Sequence, residues 1–203
     1  MPEPFVSRGF TGKRPQTDTA ARLPPGQYIA QDFPVLSAGP TPHISLDKWS
    51  FTLEGLVKEK AVWTWDEVLK LPSQTFQVDI SCVTKWTKLD TQWEGISVDT
   101  LLEQVELDPK AHFVIAFSHE GYTTNLPLNE ILNGKAFVAY RYEGKPLASE
   151  HGGPARLVVP HLYFWKSAKW VAGLRFVESD QPGFWESAGY NNHGDPWKEE
   201  RYW

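Results

Sequence analysis

The stretch EHGGPARLVVPHLYFWKSAKW, residues 150–170, gathers His151, Arg156, His161, Lys166 and Lys169 around a short apolar run. Two glycines and a proline before Arg156 suit a tight turn where backbone can approach a ligand closely. ARLVVP reads as a short buried strand, and KWVAGLRFVES after it as another. Arginine and lysine offer phosphate a forked donor and a point charge. Ser167 and nearby backbone N–H groups add neutral donors. Two readings stand side by side: an anion site for a phosphorylated ligand, or a solvated basic loop between two strands.

Outward from this stretch, the chain reads as many short strands and few helices. WSFTLEG (49–55) alternates Trp49, Phe51 and Leu53 on one face and ends at a glycine turn. TWDEVLKLP offers Thr64 as N-cap with Glu67 three residues on, and Pro72 closes the helix. TFQVDISCVTKW (75–86) alternates Phe76, Val78 and Ile80, which places Cys82 at or just past a strand end. WEGISVDTLLEQVEL reads as a turn followed by a helix from Ser97 or Asp99. HFVIAFSHEGYTTNLPL reads as strand, polar loop and shorter strand, LNEIL as one helical turn, and KAFVAYRYEG as a strand. From Asp180 the chain is polar, aromatic and rich in Gly and Pro. Strands without regular βα alternation predict an α+β domain, mainly β. Residues 1–27 read as an extended N-terminal arm and residues 28–203 as one domain.

Composition narrows the function. The chain has 203 residues and a formal charge of −5, so no basic field points to nucleic acid or an anionic membrane. No apolar run approaches the roughly 20 residues that span a bilayer. The first residues carry no apolar signal core, and the expected location is cytoplasmic. Ten tryptophans must largely be buried or line a pocket, because a Trp-rich surface would be sticky.

Cys82 is the only cysteine, which excludes an internal disulfide and CxxC-type metal sites. Six scattered histidines form no HxH, HxxxH or HExxH pattern. No GxGxxG, Walker A, CxxCH or GxSxG motif is present. Cys82 is then a small buried hydrophobe, a free nucleophile paired with some histidine, or a ligand.

DISCVTKW, EHGGPARLVVP and WKSAKWV, in this order and spacing, resemble the sulfite-oxidase-like molybdopterin oxidoreductases, above all their short stand-alone bacterial members. The resemblance runs from about Pro34 to the C-terminus. It implies a single sulfite-oxidase-type molybdopterin-binding domain. It implies molybdenum and molybdopterin as cofactors and oxygen-atom transfer as the reaction. Cys82 matches the family's one protein ligand to molybdenum, a soft donor suited to that metal. His151 and Arg156 match residues that contact the pterin and its phosphate. Ser167, Ala168 and Lys169 match a stretch that binds the cofactor through backbone and a lysine. His119, with Ser118 as the alternative, sits near a further pterin-contacting position. Tyr190, five residues after Trp185, matches the spacing of an active-site tyrosine. His161 and Trp165 are further pocket candidates, with packing the preferred reading of each.

Leu36, Ser37 and Ala38 stand where sulfite oxidase carries an Arg-Asn-His run, so the arginine that helps bind sulfite is replaced. The resemblance implies a small-molecule oxo donor or acceptor, and the missing arginine argues against sulfite. Without a flavin or nicotinamide motif, it also implies a separate electron-transfer protein of flavin or haem type. A non-catalytic pterin-binding module and a thiol enzyme using Cys82 as nucleophile are the alternative classes.

Overall fold

The computed structural model describes residues 19–203. Eleven strands form two mixed sheets. In the first, β1 (Tyr28–Ile29) runs parallel to β5 (Trp86–Ser97), which also pairs antiparallel with β4 (Gln74–Ser81) and β8 (Phe137–Tyr142). β8 in turn pairs with β9 (Lys145–Pro146) and β10 (Arg156–Val158). The second sheet has the order β3 (Ala61–Thr64), β2 (Ser50–Gly55), β11 (Val171–Val177), β6 (Phe113–Ser118), β7 (Thr123–Pro127). There β2 and β11 are parallel and the other pairs antiparallel. Among the described residues, two short α-helices join these strands, α1 (Trp65–Val68) and α2 (Val98–Leu102), and a third, α3 (Phe184–Ser187), follows the last of them. This is the mainly β, α+β domain expected.

Period-2 alternation splits the core in two. Along β8, Val138 and Tyr140 join a cluster with Trp49, Phe51, Leu157, Leu174 and Phe176 of both sheets. The intervening Phe137 and Ala139 join a second cluster with Ile80, Cys82, Trp86, Trp93, Val158 and Phe164. Over β8 and β10 the first sheet is thus buried on both faces, and its second face carries the cysteine.

Local signals account for the short helices. The Glu67 carboxylate accepts from the Thr64 N–H and hydroxyl, both at 2.8 Å, which starts α1. Ser97 Oγ accepts from Asp99 N–H at 3.2 Å, which starts α2. WEGIS, expected as a turn, instead ends β5. Gly95 permits a close strand crossing: a Cβ there would sit 2.2 Å from the Val138 carbonyl oxygen.

The expected arm lies outside the described residues over 1–18. Residues 19–22 form a 3-10 turn whose Arg22 bonds Asp79 of β4 at 2.5 Å and Asp90 of β5 at 2.7 Å. That double contact holds the segment against the β4–β5 hairpin. The segment after Asp180 includes α3 and a 3-10 turn, Pro196–Lys198, and folds back on the second core cluster through Trp185 and Tyr190.

Phe51 is fully buried between the sheets. Phe51→Ala is expected to lower unfolding free energy by about 3–5 kcal/mol, read from urea unfolding followed by tryptophan fluorescence.

Candidate active site

Cys82 lies one residue past β4, where the hairpin turns into β5. Its N–H donates to the Trp86 carbonyl at 2.8 Å, and its own carbonyl accepts from Lys85 N–H at 3.1 Å. Lys85 takes a left-handed conformation (φ 74°), so three residues, 83–85, close the loop. Gln27 Nε2 braces the Cys82 carbonyl from the N-terminal segment at 3.2 Å. The turn presents the thiol to a cavity of about 500 Å³, within the range of cofactor sites.

The cavity has three distinct walls. One is the irregular strap from Phe33 to Pro40, including Leu36, Ser37 and Ala38. The second is polar and cationic, with Arg156, Ser167 and Lys169. The third is aromatic, with Tyr122, Trp165, Phe184, Trp185 and Tyr190. Glu120 is the one carboxylate among the described lining residues.

Arg156 is buried at the start of β10. Its Nη1 donates to the His151 carbonyl and its Nη2 to the Ser167 carbonyl, both at 2.8 Å. The guanidinium carbon lies 4.0 Å over the Phe164 ring. Lys169 Nζ donates to the carbonyls of Leu36 (2.7 Å) and Glu150 (2.6 Å). Among the described residues no carboxylate pairs with either cation. Burial, which penalises charge, pulls Arg156 down to about 9 and Lys169 to about 8. Two unpaired cations on one wall make a site for an anion.

Gly152 makes this wall possible. It is left-handed (φ 107°), and a Cβ would lie 3.0 Å from Lys169 Cα and 3.1 Å from Arg156 Cβ. Only glycine lets the His151 carbonyl curl back onto the guanidinium there.

The other expected residues divide. Ser167 lines the cavity, and its Oγ accepts from Val159 N–H at 2.9 Å. Ala168 is buried behind the lining and accepts from Leu157 N–H at 2.9 Å. The His151 ring is absent from the lining and stacks on Phe33, which does line it, at 3.9 Å. His119 is also set back, packed beside Trp49, while its neighbours Glu120 and Gly121 reach the lining. Ser118, the alternative at that position, donates its hydroxyl to the Lys169 carbonyl. Tyr190 lines the cavity, stacked on Trp185 at 4.9 Å. Burial first, then Tyr202 and Cys82, raise its pKa, so the phenol is protonated at neutral pH.

His161 pairs with Glu130 at 2.7 Å, away from the cavity. Lys166, a sequence candidate for phosphate, is not a wall cation. Its ammonium turns the other way and pairs with Glu186 at 2.6 Å. Sequence reading passed over Thr84, whose hydroxyl donates to Cys82 Sγ at 3.2 Å. It also passed over Phe164 and Tyr122, which carried no signal beyond aromatic character.

The model of the oxidoreductase molybdopterin binding domain matches residues 38–185. The chain belongs to this family. It is 41% identical over 194 residues to the uncharacterized oxidoreductase YuiH of Bacillus subtilis, covering 95% of this chain and 98% of that one. It is 31% identical to a putative protein-methionine-sulfoxide reductase subunit, YedZ1, of Azospira oryzae, over 73% of this chain and 57% of that one. It is 26% identical to the catalytic subunit MsrP of Ralstonia nicotianae, over 72% and 49%. The chain thus spans about half the length of the methionine-sulfoxide reductase subunits. The sulfane dehydrogenase SoxCD of Paracoccus pantotrophus shares the fold, with TM-score 0.62 and 22% identity over 68% of this chain and 40% of that one.

This molybdopterin oxidoreductase domain takes molybdenum and molybdopterin as cofactors. The cavity fits them. It offers one sulfur donor, two unpaired cations for a phosphate, and a buried His151 Nδ1 without a protein partner at its edge. Among the described residues no histidine hydrogen-bonds Sγ, so the Cys–His arrangement of a thiol nucleophile is not formed.

Burial raises the Cys82 pKa above the ordinary thiol value, and the Thr84 hydroxyl opposes this by favouring thiolate. Removing that donor raises it further. Thr84→Val is therefore expected to move the alkylation profile of metal-free protein to higher pH and to slow alkylation at pH 8. Iodoacetamide labelling followed by mass spectrometry checks this; superimposable profiles would contradict it.

Proposed function

We propose that this molybdenum oxidoreductase reduces a small uncharged S-oxide by oxygen-atom transfer, with Cys82 as its only protein ligand to the metal. One observation carries the reading. A single buried thiol opens into a cavity whose cationic wall has no protein counter-charge. Bound molybdenum supplies two-electron oxygen-atom chemistry, and the protein supplies binding and orientation.

The roles of the residues follow from their chemistry. Cys82 gives up its proton on ligation, since a metal-bound thiol is a thiolate. Arg156 and Lys169 would hold the pterin phosphate, with Ser167 between them in sequence. Phe33 carries the stacked His151 at the cavity edge. Tyr190 keeps its proton and donates to the substrate oxygen. In the net change a sulfoxide takes up two electrons and two protons, its S–O bond breaks, and a sulfide and water leave. A separate electron-transfer protein of flavin or haem type is the donor.

The substrate class is supported by the lining. Leu36, Ser37 and Ala38 bring no cation, Glu120 repels anions, and the third wall is aromatic. Arg156 and Lys169 are committed to the cofactor. The names of the methionine-sulfoxide reductase subunits support a sulfoxide over sulfite.

Cys82→Ala is expected to abolish reduction of methionine sulfoxide by holoenzyme with dithionite-reduced benzyl viologen as donor. Full activity in this variant would sink the mechanism. Arg156→Ala is expected to lower molybdenum and pterin per protein at least several-fold, read by elemental analysis and pterin fluorescence. Unchanged content would remove its role.

A further inference from the structure

Behind the aromatic wall lies an ion pair that the chemistry above does not use. Lys166 and Glu186 side chains are both fully buried, with Nζ 2.6 Å from Oε1. Glu186 Oε1 also accepts from the Trp165 indole N–H (2.9 Å) and the Thr124 hydroxyl (2.8 Å). Lys166 Nζ further donates to the Asn125 carbonyl (2.8 Å), Asn125 Oδ1 (3.1 Å) and the Asn192 carbonyl (2.7 Å). The Tyr122 hydroxyl donates to the Trp165 carbonyl at 2.6 Å.

These contacts join four separate segments. Thr124 and Asn125 lie on β7, just after Tyr122. Trp165 and Lys166 share one 3-10 turn, Phe164–Lys166. Glu186 lies on α3 beside Trp185, and Asn192 lies two residues past Tyr190. Each segment contributes at least one aromatic residue to the cavity wall. Neither ionic group itself lines the cavity.

A buried ion pair is a poor source of stability, because desolvation offsets the attraction. A well-packed apolar pair would hold the segments together as well. It would not aim an indole N–H or fix where the Asn192 carbonyl sits. We infer that the Lys166–Glu186 pair positions the aromatic wall, setting the Trp165 ring and the Tyr190 segment relative to Cys82. It acts through Trp165 and touches no reacting atom. Its consequence for turnover rests on the sulfoxide reading above.

Two measurements test it. The first needs neither cofactor nor turnover. In 1H–15N spectra the Trp165 indole resonance, assigned with Trp165→Phe, is expected to be sharp and protected from solvent exchange in wild type. It should stay so in Glu186→Gln, which keeps the acceptor oxygen, and be lost to exchange or broadening in Lys166→Met/Glu186→Leu. An unchanged resonance in the double variant overturns the inference. If the double variant does not fold, Glu186→Leu alone is read the same way against Glu186→Gln, and loss of the resonance in Glu186→Gln as well also overturns it.

The second measurement uses holoenzyme and methionine sulfoxide. With molybdenum content equal to wild type, the double variant is expected to raise KM at least tenfold and change kcat less than threefold. Glu186→Gln should restore KM to within twofold. A lower melting temperature with wild-type KM would mark the pair as merely structural and overturn the inference. Wild-type holoenzyme inactive on every sulfoxide overturns the substrate reading instead, and the indole resonance then decides the pair.

Discussion

The buried Arg156 guanidinium is the constraint around which the site is built. A cation in the interior is tolerated only when its donors are met. Here they are met by carbonyls of His151 and Ser167 and by the Phe164 ring face. Each partner fixes a piece of chain. The His151 carbonyl requires the left-handed Gly152, and the Ser167 carbonyl fixes the segment that leads to Lys169. Carbonyls satisfy the hydrogen bonds but bring no full negative charge. The charge itself is left for a ligand, and Lys169 beside it sharpens that requirement.

The first sheet explains how this charge meets the thiol. Its strands β8 and β10 are buried on both faces, so alternate residues of one strand serve two purposes. Leu157 packs into the core between the sheets, while Val158 and Arg156 face the other way. Cys82 reaches that same side through the β4–β5 turn. Strand register therefore sets the separation of sulfur and guanidinium more tightly than any loop could. A one-residue slip in β10 would put the guanidinium into the apolar core.

Much of the fold was legible because strand alternation is a local signal. Phe76, Val78 and Ile80 located β4, and Cys82 was placed at its end correctly. Gly95 misled, because a glycine for close strand approach and a glycine for a turn look alike in sequence. The basic residues of 150–170 were legible as a group but not individually. Arg156, Lys166 and Lys169 are alike in sequence, yet Lys166 points into the interior. Its partner Glu186 lies on another element, α3, and nothing local announces the pairing. The His119 and His151 rings do not line the cavity, though each keeps a buried ring nitrogen without a protein partner, since side-chain direction depends on packing that spacing does not encode.

Burial shifts the pKa values of the two halves of the site in opposite directions. Without a ligand, burial keeps Cys82 a neutral thiol, so no uncompensated anion is held in the interior. The same burial lowers Arg156 to about 9 and Lys169 to about 8, and both stay cationic at neutral pH. A phosphate would pair with these two charges, and a metal held by Cys82, as proposed, would displace the thiol proton. Each pairing lowers the cost of the other by placing opposite charges in one low-dielectric cavity. Cofactor binding of this kind is coupled to proton release at the thiol. Such coupling favours a ligand that carries metal and phosphate together over either one alone.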